Sequence, residues 1–365
     1  MTSWINRIET AVPPNEVHSS FVSYIEHRLR GQREAVLFRR LAAKSGIQTR
    51  YSFVRPRPDL AGETLPESLD LDGFYRQGNF PTTAERMRWY EEKSLELALQ
   101  ATEPIIDRVG RDEITHVVVA SCTGLSAPGL DLLLQSRLGL RSQVERTCVG
   151  FMGCYAGITA LRLADQIVRS TPQARVLVVS VELCTLHLQD KIEMQDVLGF
   201  LQFADGAAAA LVSADRHGLE LTGFASAVSP EAAPHITWKI GNTGFDMNLS
   251  LEVPPTLAQA VPRHWSTLWP TSGPQAADSI RPEFWAVHPG GRAVLDAVET
   301  SLGLKPEALE YSRSVLRRFG NMSSATIFFV LQEFLRDRTR QGNGLGMAFG
   351  PGLTVESLRW RSHFS

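Results

Sequence analysis

Apolar side chains recur at helical spacing through residues 150–168, GFMGCYAGITALRLADQIV, where Ile158, Ala160, Leu161, Leu163, Ala164, Ile167 and Val168 form one face. The segment is therefore predicted as a largely buried helix. Other stretches carry no such period. THVVVASCTG, RVLVVSVELC at 175–184 and GAAAALVSA at 206–214 are unbroken apolar runs ending in polar turns, the pattern of strands covered on both faces. FWAVHPGG at 284–291 and GMAFGPGLTVESLRW at 346–360 supply strands in the second half. Amphipathic helix is predicted over 14–45, interrupted at Gly31, and again over 84–108, with an irregular Pro-, Gly- and Asp-rich excursion at 55–83 between them. Strands alternating with helices make the chain α/β.

Laid against each other, the two halves repeat. A buried strand at 117–122 is followed about 30 residues later by Gly153-Cys154 and an apolar helix; the strand at 284–288 is followed at similar distance by Gly320-Asn321 and SSATIFFVLQEFL. Small residues come next in both, Ala156 and Gly157 against Ser323 and Ser324. This predicts two equivalent helices packed closely at the centre, with a first half at 1–215 carrying Cys154 and a second at 216–365 carrying Asn321.

Composition narrows the chemistry. The chain has 365 residues and a net charge of −2, so it has material for a large core and no global pull towards nucleic acid or other polyanions. Its four cysteines, Cys122, Cys148, Cys154 and Cys184, show neither CxxC spacing nor neighbouring histidines of a zinc site. That usage fits a reducing, cytoplasmic setting, and neither a secretory leader nor a membrane-length apolar run is evident. Basic residues gather between Arg28 and Arg50, including Arg33, Arg39, Arg40 and Lys44. They read as a solvated face or as a cradle for ligand phosphates.

A free cysteine is most often a buried small hydrophobe. At a helix start, however, the partial positive charge favours thiolate, and the repeat sets Cys154 opposite Asn321. Most histidines, such as His18 and His217, lie in polar surroundings; His288 ends a strand and precedes Pro289-Gly290-Gly291, a turn that lets a ligand approach. Cys, His and Asn serve papain-like hydrolysis, where Asn only orients the ring, or decarboxylative condensation, where His and Asn together hold a thioester enolate. The absence of papain-type signatures around the cysteine favours condensation.

GCYAGITALRLA, FWAVHPGGRAVLDAVE, FGNMSSA and FGPGLT together resemble the type III polyketide synthases of the chalcone synthase superfamily, in a bacterial-type form, from about residue 35 to the C-terminus. Ketoacyl-acyl-carrier-protein synthase III shares the trio, but its His is typically followed by Gln-Ala-Asn. The resemblance implies the thiolase fold, a duplicated αβαβα layered core, in a homodimer. It implies Cys154 as acyl acceptor, and His288 and Asn321 as the thiolate partner and enolate hole. It also implies Phe203 as the gate between a coenzyme A tunnel and a cavity walled by Cys122, Thr123, His187, Trp238, Phe245, Met247 and Ser323. His187 stands where the family commonly has threonine, and offers a polar wall or a second acid-base group. Arg40 and Lys44 match positions that meet coenzyme A phosphates, while Leu37 departs from a third basic one. The implied reaction takes an acyl-CoA starter, extends it with malonyl-CoA and cyclises it to a pyrone or a resorcinol/phloroglucinol-type ring, with no metal or bound cofactor and no membrane partner. A carrier-protein-dependent ketoacyl synthase III and a catalytically silent acyl-binding subunit are the rival expectations.

Overall fold

The computed structural model describes residues 2–58, 66–272, 277 and 281–363; part of the irregular stretch predicted at 55–83 lies outside them. In the first half, β1 (Ser3–Ala11), β2 (Asn15–Glu16), α1 (His18–Arg28), α2 (Glu34–Lys44) and β3 (Tyr51–Ser52) precede the long α3 (Thr83–Val109). Then come β4 (His116–Ser121), α4 (Leu130–Arg137), β5 (Glu145–Gly150), α5 (Ala156–Ser170), β6 (Val176–Leu183), α6 (Met194–Gln202) and β7 (Asp205–Ser213). The second half runs β8 (Gly218–Val228), β9 (Ile236–Gly241), β10 (Gly244–Leu249), α7 (Val253–Arg263), α8 (Trp265–Leu268) and β11 (Phe284–Val287). It closes with α9 (Arg292–Leu302), α10 (Glu310–Phe319), α11 (Thr326–Arg336), β12 (Gly342–Gly350) and β13 (Thr354–His363).

Nine strands pair in the order β11-β12-β13-β8-β1-β7-β6-β4-β5. Among the described residues, the block β11-β12-β13-β8 joins the block β1-β7-β6-β4-β5 where Ser3–Ile5 of β1 pairs with Leu219–Leu221 of β8. Apolar residues sort into layers on either side. α5, α11 and the facing sides of both blocks share one core, including Ile158, Leu161, Ile327 and Val330. The other side of the first block is covered by α3 and α4, and that of the second by α7 and α9. This is the expected αβαβα layering. Fully burying Ile158 or Leu161 stabilises it by about 1.5–3 kcal/mol each.

The predicted helices are present, with 14–45 split at Gly31 (φ 81°) into α1 and α2. Several expectations change. The run 346–360 is two strands broken by a 3-10 turn at Pro351–Leu353, because Pro351 cannot donate to a ladder. The N-terminal β1, which lies inside the sheet, and β5, β8 and the β9–β10 hairpin have no counterpart in the predicted pattern.

The central helices approach as the repeat predicts. A side-chain carbon at Gly157 would lie 2.5 Å from the Ser324 carbonyl oxygen, and at Gly153 2.2 Å from Pro351. Gly153 and Gly320 both have positive φ, 81° and 71°, so each chemical residue follows a glycine turn. Placing alanine in a helix interior normally stabilises by about 1 kcal/mol relative to glycine. Gly157→Ala should instead lower the melting temperature in a calorimetric scan, since overpacking of about 1–3 kcal/mol outweighs that gain; a raised melting temperature would remove the close approach as a constraint.

Candidate active site

Cys154, His288 and Asn321 line one cavity of about 510 Å3. His288 continues beyond β11: its N–H donates to the Met347 carbonyl at 2.8 Å, and its carbonyl accepts from Gly290 at 3.0 Å. Asn321 is held on every side. Its N–H donates to the Gln202 carbonyl and its carbonyl accepts from Ala204 N–H, both at 3.0 Å. Its side-chain Oδ1 accepts from Ser323 N–H at 2.9 Å, and Nδ2 donates to the Gly290 carbonyl at 3.1 Å. These partners fix the amide orientation, and the side chain also reaches the Cys154 thiol. The Asn321 loop is thus tied directly to the loop carrying His288. Asn321 does not open an α-helix as expected; a 3-10 turn at Ser323–Ala325 intervenes before α11, with Ser323 at a positive φ of 47°. Phe151, just before the nucleophile loop, has φ 58°, so backbone strain collects around the thiol.

The electrostatics correct the expectation of a thiolate set by the helix start alone. Burial pushes the Cys154 thiol up to about 12, and the Glu182 carboxylate adds to this, while contacts from Ser323 and Asn321 oppose it. Burial likewise pushes His288 down to about 3. Burial thus disfavours the charged form of each group taken alone. Neither ring nitrogen of His288 has a hydrogen-bond partner, although the residue is 1% exposed. A buried, unsatisfied imidazole is costly unless a ligand completes it.

Phe203 and Met247 line the large cavity and also a second hollow of about 30 Å3 behind it, shared with Cys184, His187 and Trp238. The hairpin β9–β10 explains the division. Its register pairs Trp238 with Met247 and Ile236 with Leu249, putting alternate side chains of both strands on the cavity face. The Trp238 indole N–H donates to the Cys122 carbonyl at 3.0 Å. His187 stacks on Phe245 with ring centroids 4.1 Å apart, and Trp238 meets both rings edge-on. His187 is not a second acid-base group. Its Nε2 donates to the Thr123 carbonyl at 2.8 Å, its Nδ1 accepts from Phe245 N–H at 3.0 Å, and burial lowers it to about 3.

Other expected wall residues stand behind the lining. The Cys122 sulfur accepts from Gly153 N–H at 2.9 Å and so shapes the nucleophile turn. Thr123 donates to Glu182 at 2.8 Å, Phe245 backs His187, and Ser323 reaches the thiol. At the mouth, Lys44 lines the cavity, whereas Arg40 is exposed on α2 outside the lining. Arg50 is fully buried, which removes it from the group of phosphate-facing candidates.

Three contributors went unread. Glu182 is buried beneath the thiol, accepting from Cys122 N–H at 3.0 Å, Thr123 Oγ1 at 2.8 Å and the Ser324 hydroxyl; a lone acid closing an apolar strand was its signal. Arg292, directly after the glycine pair, lines the mouth and pairs with Asp296 at 3.5 Å. His18 lies against Arg50, with Nδ1 accepting from Arg50 Nε at 3.0 Å, and burial takes it down to about 4. Among the described residues no metal-ligating cluster occurs, and no helix is long and apolar enough to cross a membrane.

The family profile for chalcone and stilbene synthases matches twice, its N-terminal domain over residues 5–216 and its C-terminal domain over 220–363. Type III polyketide synthase A of Arabidopsis thaliana is 36% identical over 297 residues, covering 77% of this chain and 75% of that protein. Bisdemethoxycurcumin synthase of Oryza sativa subsp. japonica is 34% identical over 338 residues, covering 88% and 82%. The C-terminal type III polyketide synthase domain of Steely1, a type I/III hybrid from Dictyostelium, superposes with a TM-score of 0.88 at 25% identity over 99% of both chains. A CoA-SH complex of CsyB superposes at 0.86, with 24% identity over 99% and 100%, a likeness of fold. The thiolase fold and both family matches lead to one conclusion: the chain belongs to the chalcone and stilbene synthase family and is a type III polyketide synthase, an acyltransferase working by decarboxylative condensation.

Proposed function

We propose that an apolar acyl-CoA starter loads onto Cys154, that malonyl-CoA extends it a small number of times, and that the chain closes to a pyrone or a resorcinol/phloroglucinol-type ring. The observation that carries this reading is the buried His288, with both nitrogens unpartnered, in the same cavity as Cys154 and the Asn321 side chain. His288 takes the thiol proton; the thiolate attacks the starter carbonyl, and the leaving CoA thiolate is reprotonated by the imidazolium. With malonyl-CoA in place, neutral His288 and Asn321 donate to its thioester oxygen, holding the enolate as carbon dioxide departs. The enolate carbon then attacks the Cys154 thioester and releases the thiolate.

Leu198, Leu201, Leu249, Val253 and Leu257 on the cavity wall support an aliphatic or aromatic starter. Lys44 and Arg292 at the mouth, with exposed Arg40 one turn before Lys44, support contact with coenzyme A phosphates. The hollow behind Phe203 and Met247, about 30 Å3, is small beside the cavity of about 510 Å3 in front of it, which supports few extensions. The paired glycine turns support a duplication joined near 215–216. Strand β5 is exposed along most of its length at the sheet edge, close to exposed Leu125. An unpaired edge of this kind is a pairing surface and supports a homodimer.

Cys154→Ala should bind CoA thioesters yet form neither covalent acyl-enzyme nor polyketide; product by mass spectrometry would overturn the scheme. In His288→Ala the thiol keeps its raised pKa, so iodoacetamide alkylation should climb about tenfold per pH unit from about 7 to 10, because only thiolate reacts. The parent should react faster near neutrality and more evenly with pH; superimposable profiles would deny the proton transfer. Trp238→Gly opens the hollow behind the gate, and products with added ketide units are expected from malonyl-CoA and the same starter. An unchanged product spectrum would exclude Trp238 as the limit on chain length.

A further inference from the structure

The gate and the enolate hole share one buried support. Arg50 has no exposure, and its guanidinium spreads three donors in different directions. One terminal nitrogen donates to the Phe203 carbonyl at 2.6 Å, the other to the Phe200 carbonyl, and Nε donates to His18 Nδ1 at 3.0 Å. Phe200 and Phe203 stand at the C-terminus of α6, where carbonyls lack helical partners and a cation is favourable. α6 is the helix whose Leu198, Leu201 and Gln202 line the cavity and which runs directly into Phe203.

The same guanidinium stem meets the other loop. A side-chain carbon at Gly320 would lie 2.7 Å from Arg50 Cγ, so the glycine before Asn321 rests on Arg50. Phe203 and Asn321 also form a parallel bridge, through Asn321 N–H to the Gln202 carbonyl and Ala204 N–H to the Asn321 carbonyl. Arg50 in turn is anchored from behind, its backbone N–H reaching Glu16 Oε1 at 3.3 Å, while His18 N–H reaches the same oxygen at 2.7 Å. A planar fork with fixed donor directions suits this task, and a lysine point charge satisfies only part of it.

We propose that Arg50 is a positioning residue that sets Phe203 and Asn321 relative to each other, so that gate and enolate hole keep one spacing through each round of extension. The idea rests on the roles given above to Phe203 and Asn321. Arg50 touches no substrate in this scheme; it acts through two carbonyls and one glycine.

The test uses the full-length protein with Arg50→Met, Arg50→Lys, His18→Ala and Asn321→Ala, each assayed with CoA thioesters and with the matching pantetheine thioesters, which lack the nucleotide phosphates. For Arg50→Met, Cys154 should still become acylated, while condensation kcat and malonyl-CoA decarboxylation fall about tenfold or more with both thioester types, as expected for a displaced catalytic group. KM for CoA thioesters should change no more than KM for pantetheine thioesters. Arg50→Lys should recover part of kcat, since one carbonyl contact survives. His18→Ala, at a partly exposed position, keeps the fold and should show a smaller fall of the same kind, so the idea remains testable if Arg50→Met does not fold.

A selective rise in KM for CoA thioesters, or an unchanged kcat in both Arg50 variants, would overturn the proposal. Asn321→Ala separates the layers. If it abolishes decarboxylation and the Arg50 and His18 variants do not impair it, the positioning role fails alone. If Asn321→Ala decarboxylates normally, the reading of Asn321 fails, and a kcat unchanged in the Arg50 variants then removes the role through Phe203 as well.

Discussion

The close approach of α5 to the Ser323–Ala325 turn at Gly157 is the constraint on which the site depends. With a side-chain carbon forbidden at Gly157 by the Ser324 carbonyl, the two chemical loops descend from the same crossing of central elements. Each loop then reaches its chemical residue through a glycine with positive φ. The layers outside this crossing serve to hold it: two blocks of strands, joined by a three-residue seam, close over α5 and α11.

Around that crossing the protein buries groups that disfavour charge singly. Glu182 lies under the thiol with its oxygens accepting from Cys122, Thr123 and Ser324, and its proximity opposes a lone thiolate. His288 is buried without a partner and opposes a lone imidazolium. Under the proposed scheme, proton transfer between Cys154 and His288 creates both charges together and leaves the site's net charge unchanged. In a low-dielectric cavity this coupling favours reaction only when a thioester has displaced water.

The layered class, the central helices and the convergence of Cys154, His288 and Asn321 on one cavity were legible because each rests on a local signal: unbroken apolar strands, a 3.6-residue period, and glycine before a polar residue at matching places in two halves. β1 was missed because SWINRIETA mixes Asn, Arg and Glu into its run, and its polar side chains find partners only in the fold, as Asn6 does with the Asp215 and His217 carbonyls. β5 carries an edge strand's polar sequence, so its pattern matches neither buried strand nor helix. Glu182 and Arg50 are single charges whose meaning is set by residues distant in sequence, 59 to 142 positions away for Glu182 and 150 to 153 for the two carbonyls on Arg50, beyond the reach of any periodicity. The wall assignments were uneven for a related reason. Resemblance places residues near a site, but whether Cys122 or Trp238 faces the hollow is decided by pleat and register.

The β9–β10 hairpin forms a two-stranded sheet of its own, separate from the nine-stranded one among the described residues. It contributes Ile236, Trp238, Met247 and Leu249 to the space in front of and behind the gate, yet none of the three chemical residues. Under the proposed scheme, reaction and product are inscribed on different parts of the chain. Descendants of such an ancestor can exchange one hairpin and diversify their chemistry's outcome while the machinery of bond formation is inherited intact, so divergence within a lineage can be fast in what is made and slow in how it is made.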